Sequence, residues 1–175
     1  MATLEDLPTP CLVLDEAKML ANIARIHGRL AGTGVSYRAH LKTAKSVEVA
    51  RRQMLTPAGP AMVSTLREAE VFADAGVTDM TYGVGIAPQK LAQVLALRAR
   101  GVDLAVILDS VEQAEAVAAA STPELPLAAL IEIDCDGHRS GVKPHDAPLL
   151  AAIAAALTPR AELRGVLTHG GESYA

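Results

Sequence analysis

One lysine in this sequence lies where nucleophilic chemistry would be expected. Lys42 directly follows an apolar run that ends in His40 and Leu41. A lysine at the end of an apolar strand can be partly desolvated, which favours the neutral amine that captures aldehydes. The alternative is that Lys42 and Lys45 are two solvated lysines at the start of a helix. Position alone leaves both interpretations open.

A second group of residues has the chemistry of metal ligands. Asp134, Asp136 and His138 alternate along the chain, so an extended backbone would direct all three side chains to one face. Together with His169 they offer the oxygen and imidazole ligands that suit zinc or manganese. Such a site would support a metal-dependent hydrolase. The competing interpretation is a polar loop in which both aspartates accept turn hydrogen bonds.

Two further residues are candidates for binding an anion or a ring. Arg139, close to Gly141, could bind a carboxylate or phenolate oxygen through charge-assisted hydrogen bonds. An ordinary surface ion pair is the alternative for this arginine. Tyr174 stands near the end of the sequence, and its position alone assigns it no role.

The elements that would position these residues alternate along the chain. Short β-rich apolar runs indicate strands, and Ala/Leu-rich stretches between them indicate helices. The predicted strands are 11–14, 35–41, 61–64, 80–84, 104–108, 127–133 and 163–168. The predicted helices are 16–31, 46–54, 66–75, 88–100, 110–120 and 146–157. This order is typical of βαβ units and a parallel sheet.

The predicted fold class is α/β, a (β/α)8 TIM-type barrel of which about the first six units are present. A whole barrel takes about 250 residues, so the 175 residues here form a partial barrel. Residues 1–34 are predicted as a strand and helix extension, and 35–175 as the partial barrel. The alternative is an open doubly wound sheet. In either fold the carboxyl ends of the strands share one rim, which would gather Lys42, Arg139 and His169.

Composition excludes several classes of protein. Half of the residues are hydrophobic and 21% are charged, as in ordinary globular domains. The net charge of −4 offers no basic surface for nucleic acid. The longest apolar stretch, 149–157, is shorter than the roughly 20 residues that span a membrane. No basic segment of a secretory signal precedes the first apolar run, so we expect a cytoplasmic protein.

Several motifs occur in the order of one known family. Residues 37–46, Y-R-A-H-L-K-T-A-K-S, resemble the R-P-H-x-K-T-x-K motif of the D-threonine aldolase and D-serine dehydratase family. These are fold-type III pyridoxal phosphate (PLP) enzymes with an N-terminal barrel like that of alanine racemase. Further matches lie within 9–15, 64–70, 131–142 and 165–174. Among family members, these motifs most resemble those of dehydratases of D-serine and D-threo-3-hydroxyaspartate.

The resemblance implies a role for four residues. Lys42 would form the Schiff base with PLP, and Arg139 would lie near the phenolic oxygen of the cofactor and the substrate carboxylate. His169 would lie beside the cofactor ring, and Tyr174 near the pyridine nitrogen. The implied activity is that of a lyase on β-hydroxy-D-amino acids, by dehydration or by retro-aldol cleavage.

The resemblance also implies what lies outside this chain. Family members continue into a C-terminal β-domain that carries a divalent metal, zinc or manganese. We therefore expect the 175-residue chain alone to be inactive. A homodimer acting on a small D-amino acid is expected, with no nucleic-acid or membrane partner. A non-catalytic PLP carrier or an amino-acid racemase on the same barrel remains an alternative, as does the metal-dependent hydrolase.

Overall fold

Six parallel strands form one sheet in the computed structural model, which describes residues 3–174. The strands are β1 (Ala39–His40), β2 (Ala61–Val63), β3 (Asp79–Gly85), β4 (Asp103–Leu108), β5 (Ala128–Ile133) and β6 (Glu162–Thr168). Their spatial order is their order along the chain. A doubly wound sheet would reverse its strand order at one point, so the predicted partial barrel is confirmed and the open-sheet alternative is excluded.

Five helices connect consecutive strands, and one helix precedes them. The helices are α1 (Glu16–Leu30), α2 (Val47–Gln53), α3 (Leu66–Asp74), α4 (Leu91–Ala99), α5 (Val111–Ala120) and α6 (Ala147–Leu157). Ser46, Thr65 and Ser110 each accept a hydrogen bond from the backbone N–H three residues on, which fixes where α2, α3 and α5 begin. None of the helices described is long and apolar enough to cross a membrane.

The two faces of the sheet differ in chemistry. On the first face the side chains are aliphatic or aromatic and almost fully buried, and they include Ala39, Ala61, Tyr82, Leu104 and Val106. The hydroxyl of Tyr82 accepts a hydrogen bond from Lys90 of the β3–α4 connection at 2.8 Å, so this face is turned toward the connecting segments. The second face carries the polar residues, among them His40, Thr81 and Glu132.

The chain divides into two compact units after Tyr37. In the first unit, the side chain of Asp15 accepts the backbone N–H of Lys18 at 3.0 Å and caps α1. The ring of His27 packs edge-on against Tyr37, with 5.2 Å between the ring centroids. The strand predicted at 11–14 is not formed, because within residues 3–174 no strand pairs with it.

The first barrel strand is shorter than the predicted 35–41. Pairing begins at Ala39, which lies opposite Ala61, the first residue of β2. The residues before Ala39 have no counterpart on β2, so they form no ladder. The predicted boundary after residue 34 lies close to the division after Tyr37 and stays a prediction.

An ion-pair network joins β4 and β6 at their amino ends. Arg164 on β6 donates to both carboxylate oxygens of Asp103 on β4, each at 2.8 Å. Arg98 adds a contact of 3.0 Å to the same carboxylate. Hydrogen bonding to Arg164, and then to Arg98, holds the pKa of Asp103 below its usual range. The network therefore joins two strands that have β5 between them in the sheet.

Asp103→Asn is expected to lower the free energy of unfolding of the natural protein by about 1 kcal/mol at pH 7. This figure is modest because the Asp103 side chain is nearly half exposed. The depressed pKa of Asp103 means that its contribution is present above the unfolded-state pKa of about 3.9 and is lost as the pH falls through the folded-state value. Denaturant unfolding at pH 7 and at pH 3 measures the difference.

The matched control is Asp74→Asn, which removes an ion pair with Arg100 in which both side chains are exposed. We expect it to change the free energy of unfolding by less than about 0.5 kcal/mol. An equal loss from Asp103→Asn at both pH values would contradict the electrostatic explanation.

Candidate active site

Lys42 lies in the turn that follows β1. The backbone N–H of Leu41 donates to the carbonyl of Met62 at 2.9 Å, which extends the ladder one residue past β1. The N–H of Lys45 donates back to the carbonyl of Leu41 at 3.1 Å and closes the turn. The side chain of Lys42 is exposed, so of the two interpretations left open by the sequence the structure shows the solvated lysine among the described residues.

His40, the last residue of β1, orients this turn. Its Nδ1 lies 3.4 Å from the backbone nitrogen of Lys42, as the acceptor of a long hydrogen bond. Burial lowers the pKa of His40, and the nearby charge of Lys42 lowers it further. Glu68 acts in the opposite direction, and His169 adds to the lowering. The imidazole is therefore neutral at neutral pH, the state in which Nδ1 can accept the hydrogen bond.

Arg139 belongs to a loop that folds back onto β5. The N–H of Val142 donates to the carbonyl of Glu132 at 2.9 Å, and the N–H of Asp134 donates to the carbonyl of Val142 at 3.0 Å. Gly141 makes this return possible: its φ is +128°, and a Cβ there would lie 2.5 Å from the backbone nitrogen of Asp134. No other residue type fits this position without a backbone shift.

Two carboxylates hold the base of this loop. Asp109, just after β4, accepts the N–H of Gly141 at 2.9 Å. Asp134, just after β5, is buried and accepts the N–H of Gly137 at 2.8 Å. Asp134 also forms an ion pair with Lys143, and that hydrogen bond lowers the pKa of the carboxyl. Asp134 is therefore an ionised acceptor at neutral pH.

A third carboxylate joins the loop to the turn after β6. Asp136 accepts the N–H of His138 through one oxygen and the N–H of Glu172 through the other, each at 3.1 Å. These two hydrogen bonds, led by that from Glu172, lower the pKa of Asp136. At Gly171 a Cβ would lie 3.2 Å from Asp136 and 3.7 Å from Arg139, so the stem of the arginine runs close to this glycine.

The residues considered as metal ligands make other contacts. Asp134 pairs with a lysine, and Asp136 accepts backbone N–H groups, as the turn interpretation expects. Within the described part of the chain, no group of three or more His, Cys, Asp or Glu side chains is placed to hold a metal ion. The described residues therefore give no support to the hydrolase alternative built on Asp134, Asp136, His138 and His169.

His169 lies within range of the charges of two other predicted site residues, Arg139 and Lys42. Burial lowers the pKa of His169, and the charges of Arg139 and Lys42 lower it further, while Asp136 opposes them. The site thus combines an amine, a guanidinium and a neutral imidazole at the carboxyl ends of β1, β5 and β6. Tyr174 is the last residue of a short 3₁₀ turn, and its side chain lies outside the described residues.

Glu132 is a member of this site that sequence reasoning missed. It lies on the second face of the sheet, near the end of β5, and its side chain is buried. Burial raises the pKa of Glu132, as does the charge of Asp109, whereas Arg139 acts in the opposite direction. The signal in the sequence is an acidic residue inside the apolar run 127–133. Burial of a carboxyl group costs free energy, so an acidic residue is unusual in such a run.

Comparison with known proteins identifies the family. Residues 14–174 match the alanine racemase N-terminal domain. The chain belongs to this family. A curated relative, D-threo-3-hydroxyaspartate dehydratase of Delftia sp. (strain HT23), is 49% identical over 174 residues, which are 98% of this chain and 46% of the relative. A 3-hydroxy-D-aspartate aldolase of Paracoccus denitrificans is 31% identical over 173 residues, 97% of this chain and 45% of the relative.

Comparison with solved structures confirms that this chain has the fold of this family. The dehydratase from Delftia sp. HT23 matches with a TM-score of 0.94, over 99% of this chain and 46% of that chain. An alanine racemase from E. faecalis, 22% identical, matches with a TM-score of 0.72 over 89% of this chain and 42% of that chain, which shows the shared fold. The chain spans about half the length of the curated relatives it matches. PLP is the cofactor that this family implies.

The donor set of the site suits PLP. An exposed amine at Lys42 can bond to an aldehyde, and the guanidinium of Arg139 can bind a phenolate or carboxylate oxygen. The imidazole of His169 is flat and uncharged at neutral pH, because its pKa is lowered. These are the groups that an aromatic aldehyde with an anionic oxygen needs around it.

Replacement of Arg139 by Met is expected to raise the pKa of His169. Removing the guanidinium charge removes one of the causes that hold this pKa down, while burial continues to lower it. NMR titration of the imidazole in the cofactor-free natural protein measures the change. Arg160→Met is the control, since Arg160 precedes β6 at the opposite end of the sheet. An unchanged pKa of His169 in the Arg139 variant would show that the two side chains do not face each other.

Proposed function

We propose that this chain is the cofactor-binding part of a PLP-dependent lyase that acts on β-hydroxy-D-amino acids. The observation that carries the proposal is the group formed by Lys42, Arg139 and His169 at one rim of the sheet. The names of the relatives support it, since they are D-threo-3-hydroxyaspartate dehydratase, 3-hydroxy-D-aspartate aldolase and D-serine dehydratase. All three names describe lyases of such substrates.

Lys42 is the residue that would hold the cofactor. The side chains of Lys42 and Lys45 are both exposed, but the amine of Lys45 lies 3.3 Å from a carboxylate oxygen of Glu68 and is engaged in an ion pair. When bound, PLP supplies an aldehyde for an amine and a ring that withdraws electrons from the substrate α-carbon. Once the substrate amine has replaced it, Lys42 would be free to take the α-proton.

Arg139, His169 and Tyr174 would orient the cofactor and the substrate. The guanidinium of Arg139 would bind the phenolate oxygen or the substrate carboxylate through charge-assisted hydrogen bonds. His169 would lie beside the ring without adding charge, because its pKa is lowered. Tyr174 is proposed near the pyridine nitrogen on the family resemblance alone.

Dehydration is the reaction that the relatives favour. The dehydratase is 49% identical and the aldolase 31% identical to this chain. A divalent metal, zinc or manganese, would assist the departure of hydroxide as a Lewis acid. Its ligands would come from a C-terminal region outside this chain, and one solved form of the dehydratase relative is metal-free. A homodimer and a cytoplasmic location are further proposals that the family resemblance and the composition support.

Borohydride reduction with PLP is expected to fix a pyridoxyl group on Lys42. The experiment uses the longest natural form of the protein, and mass spectrometry identifies the labelled residue. Lys42→Arg should abolish the visible absorbance of the bound cofactor, because the guanidinium does not bond to the aldehyde. Lys18→Arg is the control, as Lys18 is an exposed residue of α1. A pyridoxyl group on another lysine, or on none, would contradict the proposal.

Turnover of D-threo-3-hydroxyaspartate is expected to release a 2-oxo acid and ammonia in equal amounts. Lys42→Ala should lower kcat by roughly a thousandfold or more, because it removes both the anchor and the base. Glycine with an aldehyde would instead assign the aldolase reaction. Inversion at the α-carbon, with no loss of ammonia or cleavage of the carbon chain, would assign a racemase, and bound PLP without turnover a carrier.

A further inference from the structure

Glu68 lies at the start of α3 with its carboxylate almost fully buried. Its side chain is 8% exposed. One carboxylate oxygen, Oε2, accepts the backbone N–H of Ser64 at 2.7 Å, and the N–H of Glu68 donates to Oγ1 of Thr65 at 3.0 Å. This arrangement is similar to a capping box and explains why a glutamate stands at the first turn of the helix. It accounts for only one of the two oxygens.

The second oxygen of Glu68 points to the turn that carries Lys42. Oε1 is buried and makes no hydrogen bond among the described residues. Its charged neighbour is the amine of Lys45, with 3.3 Å between Nζ and Oε1. A buried carboxylate oxygen without a hydrogen bond is costly unless a positive charge lies close to it. Lys45 therefore provides the compensation that this oxygen requires.

The backbone at Lys45 is unusual as well. Its φ is +49°, and it is the one residue other than glycine with a positive φ in the part of the chain that the structure describes. This left-handed conformation costs a residue with a Cβ about 1 kcal/mol or more. The same residue donates its N–H to the carbonyl of Leu41 and so closes the turn. An ion pair that fixes the Lys45 side chain stabilises this conformation.

We propose that Glu68, acting through Lys45, is a positioning residue for Lys42. The turn from Leu41 to Lys45 is held at one end by the sheet and at the other by the Glu68 carboxylate, with Lys42 between them. Glu68 thereby sets where the Lys42 amine lies on the rim. The proposal rests on the function proposed above only in taking Lys42 as the cofactor lysine.

The test compares variants of the natural protein in pairs. Glu68→Gln and Lys45→Gln remove the ion pair, whereas Lys45→Arg keeps a positive charge at the same backbone position. Glu70→Gln is the control on the same helix, since Glu70 pairs with the exposed Arg67 at 3.2 Å. Two readouts are used: amide hydrogen exchange of the peptide 41–46 without cofactor, and the dissociation constant of PLP from its visible absorbance.

Both Gln variants at the Glu68–Lys45 pair are expected to speed exchange of 41–46 roughly tenfold. They should also raise the dissociation constant of PLP by a similar factor. Lys45→Arg should keep both the exchange rate and the dissociation constant close to their wild-type values. Glu70→Gln should leave both unchanged. Rescue by arginine distinguishes positioning through the charge from a general loss of stability.

Three results would overturn the proposal. One is unchanged exchange of 41–46 in Glu68→Gln or Lys45→Gln, with Lys45→Gln decisive if the buried Glu68 variant does not fold. Another is faster exchange with an unchanged dissociation constant. The third is failure of Lys45→Arg to restore either value. If the wild-type protein forms no adduct on Lys42, the proposed function fails, and the exchange measurement still decides whether Glu68 holds the turn.

Discussion

The site depends on the parallel pairing of six strands in the order in which the chain makes them. This pairing places the carboxyl ends of β1, β5 and β6 on one rim, so Lys42, Arg139 and His169 follow strands that end on the same side of the sheet although they are far apart in sequence. A shift of one residue in any strand would exchange its two faces. The buried aliphatic side chains of the first face oppose such a shift, so the core fixes the register on which the chemistry depends.

Carboxylates on this rim accept hydrogen bonds from the backbone of its turns, whereas the side chains of Lys42 and Arg139 are exposed. Asp109, Asp134 and Asp136 accept backbone N–H groups of the Arg139 loop or its neighbour, and Glu68 does the same at the start of α3. The chain carries a net charge of −4, yet its site offers an amine and a guanidinium. The acidic residues thus hold the backbone of the turns that carry Lys42 and Arg139.

Much of this fold could be predicted from the sequence, because each helix and most strands carry local signals. The alternation of strand and helix is a local property and is confirmed, and the hydroxyl caps of α2, α3 and α5 are local features of the same kind. The length of β1 was overestimated, since pairing depends on where β2 begins. The ion pair of Lys45 with Glu68 depends on a contact between separate elements, which no local pattern contains.

We propose that Lys42 holds PLP on this rim, with Arg139 and His169 beside it. A crystal structure of the longest natural form of the protein, grown with PLP, tests it most directly. We predict continuous electron density from Nζ of Lys42 into the cofactor, with the guanidinium of Arg139 against an anionic oxygen and the imidazole of His169 beside the ring. Density that joins PLP to another lysine, or that places its ring away from these three side chains, would contradict the account.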